Sequence, residues 1–108
     1  MSEKALLSAL GFSARAGAMI FGVTQICEAL SKRKKEGKYP LIVIEASDTS
    51  ENTHKRISDR CRFYGVNHVR IEVTTEELAR ALGKSAALAA VALTDENLYR
   101  LAEKHINL

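Results

Sequence analysis

The chain has 108 residues, of which 46% are hydrophobic and 27% charged, and it carries a net charge of +3. These proportions fit one ordinary globular domain covering residues 1–108. They exclude a spanning helix, because no apolar run approaches the roughly 18 residues that a membrane crossing needs. The opening "MSEKALLSALGF" is too short and too polar at its start for a secretory leader, so a cytoplasmic protein is expected. Cys27 and Cys61 are far apart and form no close pair of the kind that binds zinc or does redox chemistry, so both are expected as free core residues.

The elements alternate along the chain. Leu6, Leu7, Leu10 and Ala14 fall at helical spacing and predict a first helix over 3–15. "AMIF" (18–21) is a short apolar strand. Gly22 then opens a second helix over 23–36, with Ile26, Ala29 and Leu30 inward and a basic tail, "SKRKKEGK" (31–38), facing the negative end of the helix dipole. Gly37 would stop it. "YPLIVIEAS" (39–47) holds a continuous apolar run, the pattern of a strand covered on both faces. "DTSENT" supplies a turn in which Asp48, Thr49 or Ser50 caps a third helix with Ile57, Cys61 and Tyr64 on one face. "VNHVRIEV" (66–73) alternates and reads as a strand nearer an edge. In "TTEELARALG", Thr74 and Glu77 form a capping box and Gly83 a stop. "ALAAVAL" (87–93) reads as a fourth strand. "TDENLYRLAEKHI" reads as a last helix with Leu98, Leu101 and Ala102 inward. The whole predicts a three-layer α/β/α sandwich around a small mixed four-stranded sheet.

Chemistry is sparse. There is no HExxH pattern, no phosphate-binding glycine loop and no set of metal ligands at useful spacing; His54, His68 and His105 lie in unrelated polar contexts and read as surface residues. No enzyme activity, metal or cofactor is therefore expected. Glu45 and Asp48 border the carboxyl end of the central strand, where ligands bind in open α/β sheets. The most informative stretch is the start of the second helix. Its first peptide N–H groups lack intrahelical partners and carry partial positive charge. Thr24 offers a hydroxyl, and Gln25 an amide suited to a base edge. Glu28 and Lys32 share their helix face. That surface reads either as a nucleic-acid contact or as an ordinary polar helix start.

"LGFSARAG", the G-V-T-Q-I opening of the second helix, "PLIVIEASDTSENTHKRISDRC", "TTEELARALGK" and "VALTD" together resemble the ribosomal L-seven-Ae / L-thirty-e superfamily, and its small bacterial ribosome-associated members in particular. The resemblance covers residues 4–102. It implies a compact α/β/α domain that binds structured, kink-turn RNA and possesses no catalytic residues. In that family the second helix opens with Gly-x-Asn-Glu followed by Lys, and a loop before the last strand packs on the bent RNA. Carried over, the RNA-binding positions are Gly22, Val23, Thr24, Gln25, Glu28, Lys32 and Arg33, the strand-end lip at Glu45 and Asp48, Lys55, and the loop Lys84, Ser85 and Ala86. Thr24 stands at the Asn position, Gln25 at the Glu position, and Glu28 where Lys is usual; Ala18 also stands where relatives often carry Lys. A monomer bound to structured RNA, with the ribosome as a candidate setting, is the implied assembly. A protein-interaction module on the same fold is the alternative.

Overall fold

The computed structural model describes residues 3–32 and 39–106. In chain order these form α1 (Glu3–Arg15), β1 (Met19–Phe21), α2 (Val23–Ser31), β2 (Ile42–Glu45), α3 (Glu51–Tyr64), β3 (Asn67–Arg70), α4 (Thr75–Ala81), β4 (Ala90–Leu93) and α5 (Glu96–Glu103). The strands make one mixed sheet in the order β1-β4-β2-β3. β4 runs antiparallel to both its neighbours, and β2 pairs with β3 in parallel through the α3 crossover. β3 is an edge, as its half-polar alternation predicts.

Side-chain parity assigns the two faces. Ile42, Ile44, Val91 and Leu93 pack with Leu6 and Leu10 of α1, Leu78 of α4 and Ala102 of α5. Val43, Ala90 and Ala92 point the other way, against Ile26 and Leu30 of α2 and Ile57 and Cys61 of α3. β2 and β4 are buried along their whole length, because they are the central strands and both their faces are covered. This explains the alanines of β4. A weak strand former is tolerated where small side chains let the helices of one layer lie close to the sheet.

Local signals bound the helices. Ser50 caps α3, its Oγ accepting from the Thr53 N–H, and Gly65 ends it in the left-handed conformation at φ 71°. Thr74 and Glu77 complete the capping box of α4. Asp95 caps α5.

Several boundaries are tighter than the sequence pattern. The described part of α2 ends at Ser31 with Lys32 as its cap, one turn or more before residue 36; residues 33–38, including Arg33 and the Gly37 stop, lie outside the described residues. The strand core of 39–47 is 42–45, that of 66–73 is 67–70, and that of 87–93 is 90–93. Apolar residues beyond the paired segments extended the pattern past the ladder. Leu101 is 39% exposed rather than inward, because the buried stripe of the last segment is centred on Tyr99, Ala102 and Ile106. Leu101 lies beside that stripe, one residue off its axis. Cys27 and Cys61 are both buried and free. Among the described residues no helix is long and apolar enough to cross a membrane.

Candidate nucleic-acid interface

One row across the sheet organises the candidate site. The Gly22 N–H donates to the Ala90 carbonyl at 2.9 Å. Ala90 is in register with Glu45, and Glu45 with Arg70. The start of α2, the start of β4 and the carboxyl ends of β2 and β3 therefore share one end of the sheet. Adjacent strands are about 4.8 Å apart, so Gly22 and Glu45 are roughly 10 Å from each other.

Gly22 sits at φ 89°, a backbone region that L side chains rarely adopt, and serves as the N-cap of α2 without any side-chain cap bond. The chain leaves the end row of the sheet and enters a helix within one residue, which is the sharp turn that calls for glycine here. Thr24, Gln25, Glu28 and Lys32 are all exposed, while Ile26, Cys27 and Leu30 face the core. Val23 is half-buried and packs against the core beneath the helix start. Ala18, at a frequent lysine position in the resembled family, is buried instead.

The loop Lys84, Ser85 and Ala86 is exposed. Its lysine ammonium lies 4.1 Å from the centroid of the Phe21 ring. Phe21 directly precedes Gly22, so this cation–π contact brings the loop beside the α2 opening. The structure thus brings Lys84 beside Phe21 and the Gly22 joint, about 60 residues apart in the chain. Lys55 is exposed on α3 and its Nζ is held by Asp59 at 3.0 Å, one helical turn on. That bond holds the Asp59 carboxyl below its ordinary range.

The strand-end lip divides its acids. Asp48 does not cap α3; its Oδ1 accepts from the Thr75 N–H at 2.8 Å, so it ties the lip to the first turn of α4. Glu45 is fully buried. Its Oε1 accepts from His54 Nδ1 at 2.8 Å and from His68 Nε2 at 2.7 Å. The Thr49 hydroxyl donates to Oε2, and Arg70 Nε approaches Oε2 at 3.6 Å. Arg70 is itself fixed by Thr49, whose carbonyl and hydroxyl accept from it at 3.2 and 3.0 Å. Burial pushes the Glu45 carboxyl up, but the hydrogen bonds from Thr49, His54 and His68 outweigh it and hold the group below the ordinary glutamate value.

The surface reading of His54 and His68 is therefore corrected. They converge on one carboxylate, with their rings 5.7 Å apart. Sequence spacing missed this because the three residues come from β2, α3 and β3. A usable signal was present in strand parity. Val43 is in register with His68 and Glu45 with Arg70, so His68 and Arg70 lie on the face that α3 covers.

The sequence profile of the Ribosomal protein L7Ae/L30e/S12e/Gadd45 family matches residues 4–102. The chain belongs to this family. Over 99 residues, 92% of this chain and 89% of the relative, it is 29% identical to the protein named RNA-binding protein YlxQ of Bacillus subtilis. A Bacillus halodurans protein described as of unknown function superposes with a TM-score of 0.78 at 26% identity, covering 92% of this chain and 93% of that one. The Giardia lamblia 15.5kD RNA binding protein superposes with a TM-score of 0.73, covering 96% of this chain and 86% of that one; at 19% identity it speaks for the fold alone. The α/β/α fold is thus held in common with that protein.

Proposed function

We propose that this chain is a non-catalytic RNA-binding protein that grips a kinked, structured RNA with the opening of α2 and the neighbouring loop at Lys84–Ala86. In this reading it acts as a cytoplasmic monomer in association with the ribosome. The observation that carries the reading is the bare start of α2, where Gly22 caps the helix with no side chain over its first N–H groups and Thr24 and Gln25 stand exposed. Membership of the family and the name of the Bacillus subtilis relative support RNA as the ligand.

The charges divide the work. Glu28 lies between Gln25 and Lys32 on the exposed face and repels phosphate. The backbone of the RNA is then held at the flanks by Lys84, beside Gly22, and by Lys32, at the far end of α2, with Arg33 following it in sequence. Thr24 and Gln25, in the middle, meet base edges, where hydrogen-bond geometry counts more than charge. Glu45 and Asp48 shape the lip from below through their partners and do not touch the RNA with free carboxylates.

The test is a variant series on a labelled kink-turn RNA. Gln25→Ala removes a bidentate base contact and should weaken binding by about 1–3 kcal/mol, roughly 5- to 150-fold. Lys84→Ala should lower the salt slope by about one contact, whereas Arg100→Ala, the same loss of charge on α5 in the layer opposite α2, should leave it unchanged. Equal effects of Lys84→Ala and Arg100→Ala, with Gln25→Ala silent, would move the ligand off this surface and favour a protein partner.

A further inference from the structure

We propose that Glu45, His54 and His68 form a binding site for one four-coordinate divalent cation of the zinc class. The inference is independent of the RNA reading and concerns residues that reading leaves without a contact.

The donor set is the first ground. Two imidazoles and a carboxylate from three separate elements bring one ligand atom each to within 4.8 Å of one another. Histidine with carboxylate is the ligand chemistry of zinc and its neighbours, with a fourth position left for water. The carboxylate is fully buried, a cost that a strand end bearing an apolar side chain would avoid. Solvent reaches the cluster at its histidines: the His68 side chain is 14% exposed and that of His54 is 40% exposed.

The two oxygens of Glu45 are the second ground. Oε1 faces both histidines at the shorter distances, 2.8 and 2.7 Å, while Oε2 is occupied by Thr49, approached by Arg70 and shared at 3.1 Å with His54 Nδ1. A ligating carboxylate held by an outer hydrogen bond is the arrangement that orients metal ligands. The guanidinium is tied to Thr49, so it neutralises the far oxygen and leaves Oε1 to the cation.

Protons and distances can both be accounted for. A carboxylate only accepts, so His54 Nδ1 and His68 Nε2 carry hydrogens in the present arrangement. On binding, each imidazole shifts to its other neutral tautomer, freeing those two nitrogens as ligands. Metal–ligand bonds of about 2.0–2.1 Å in a tetrahedron place donors about 3.3 Å apart. The contacts of 2.8 and 2.7 Å must therefore open slightly, which the half-exposed His54 allows.

The experiment uses the tag-free full chain, stripped with chelator and titrated with Co2+ and then Zn2+. The expected result is one Co2+ per chain with the intense visible bands of tetrahedral coordination, displaced by Zn2+. His54→Ala and His68→Ala should abolish the bands and His105→Ala should keep them; Thr49→Ala should weaken binding about 10- to 100-fold. In the folded wild type, Zn2+ should move the imidazole 15N resonances of His54 Nδ1 and His68 Nε2 and leave those of His105, a readout that holds even if the His68 variant does not fold. At 100 times the dissociation constant, Zn2+ should raise the melting temperature by about 10 °C. Absence of tetrahedral bands, or metal uptake that leaves the His54 and His68 resonances in place, would overturn the site and leave a hydrogen-bonded polar cluster.

Discussion

Replacing Glu45 by Gln probes the polar cluster without changing its volume. The variant keeps a carbonyl oxygen where Oε1 stands, so His54 and His68 can still donate to it. On the other side the new amide meets the Thr49 hydroxyl, which can turn and accept. What is lost is charge: each hydrogen bond to a carboxylate contributes about 1.5–3 kcal/mol against about 0.5–1.5 for a neutral one. Three such bonds, with Arg70 left facing an uncharged amide, give a loss of about 3–4.5 kcal/mol at pH 7. Part of this is offset because a neutral side chain is easier to bury, so about 2–3 kcal/mol is expected. The pH dependence carries a sign. The folded-state pKa of Glu45 lies below its unfolded value, so its stabilisation is fully present above the ordinary glutamate value of about 4.3. It is lost as pH falls through the depressed folded value. Urea unfolding of chelator-treated wild type and Glu45→Gln, from pH 7 down to pH 3, measures both. A difference under about 0.5 kcal/mol at pH 7, or one that does not shrink in acid, would refute the reasoning.

Two further outcomes follow from local structure. Thr74→Ala removes the side chain that accepts from the Glu77 N–H and should cost about 1 kcal/mol in chemical denaturation, with Glu77→Ala adding less than its own share because the two bonds are reciprocal. Cys61 is buried, and burial, with Cys27 and Glu45 nearby, pushes its thiol up to about 11. Labelling by a thiol reagent at pH 7.5 should therefore be slow in the native protein and become fast only where urea unfolds it.

The legible features were those written within a few residues. The capping box at Thr74–Glu77, the periodic core of α1 and α3, and the continuous apolar run of β2 each need only a local window, and each is where the sequence pattern puts it. Ends of strands were less legible. Leu41 and Ala46 still bond to β4 neighbours beyond the paired core of β2, so apolar pattern and ladder stop at different residues. Leu101 failed because Leu98 and Ala102 alone leave the axis of the stripe undetermined, and Tyr99 with Ile106 decides it. The candidate interface was half legible: the glycine joint at Gly22 marks itself, but its neighbour Lys84 is found only when the sheet order places β4 beside β1. The Glu45–His54–His68 cluster was not legible by spacing, since a buried carboxylate and its two donors come from two adjacent strands and the helix between them. It required the β2–β3 register and the placement of α3 over that face.

Fluorescence anisotropy of the wild-type chain with a labelled kink-turn RNA and an unkinked duplex of equal length, each at several salt concentrations, decides whether the opening of α2 reads RNA. The account predicts tight binding to the kinked RNA alone, with a shallow salt dependence, because Lys32 and Lys84 supply few phosphate contacts while Thr24 and Gln25 supply the base contacts. Equal, weak and salt-quenched binding to both RNAs would contradict it and reduce the opening of α2 to an ordinary helix start.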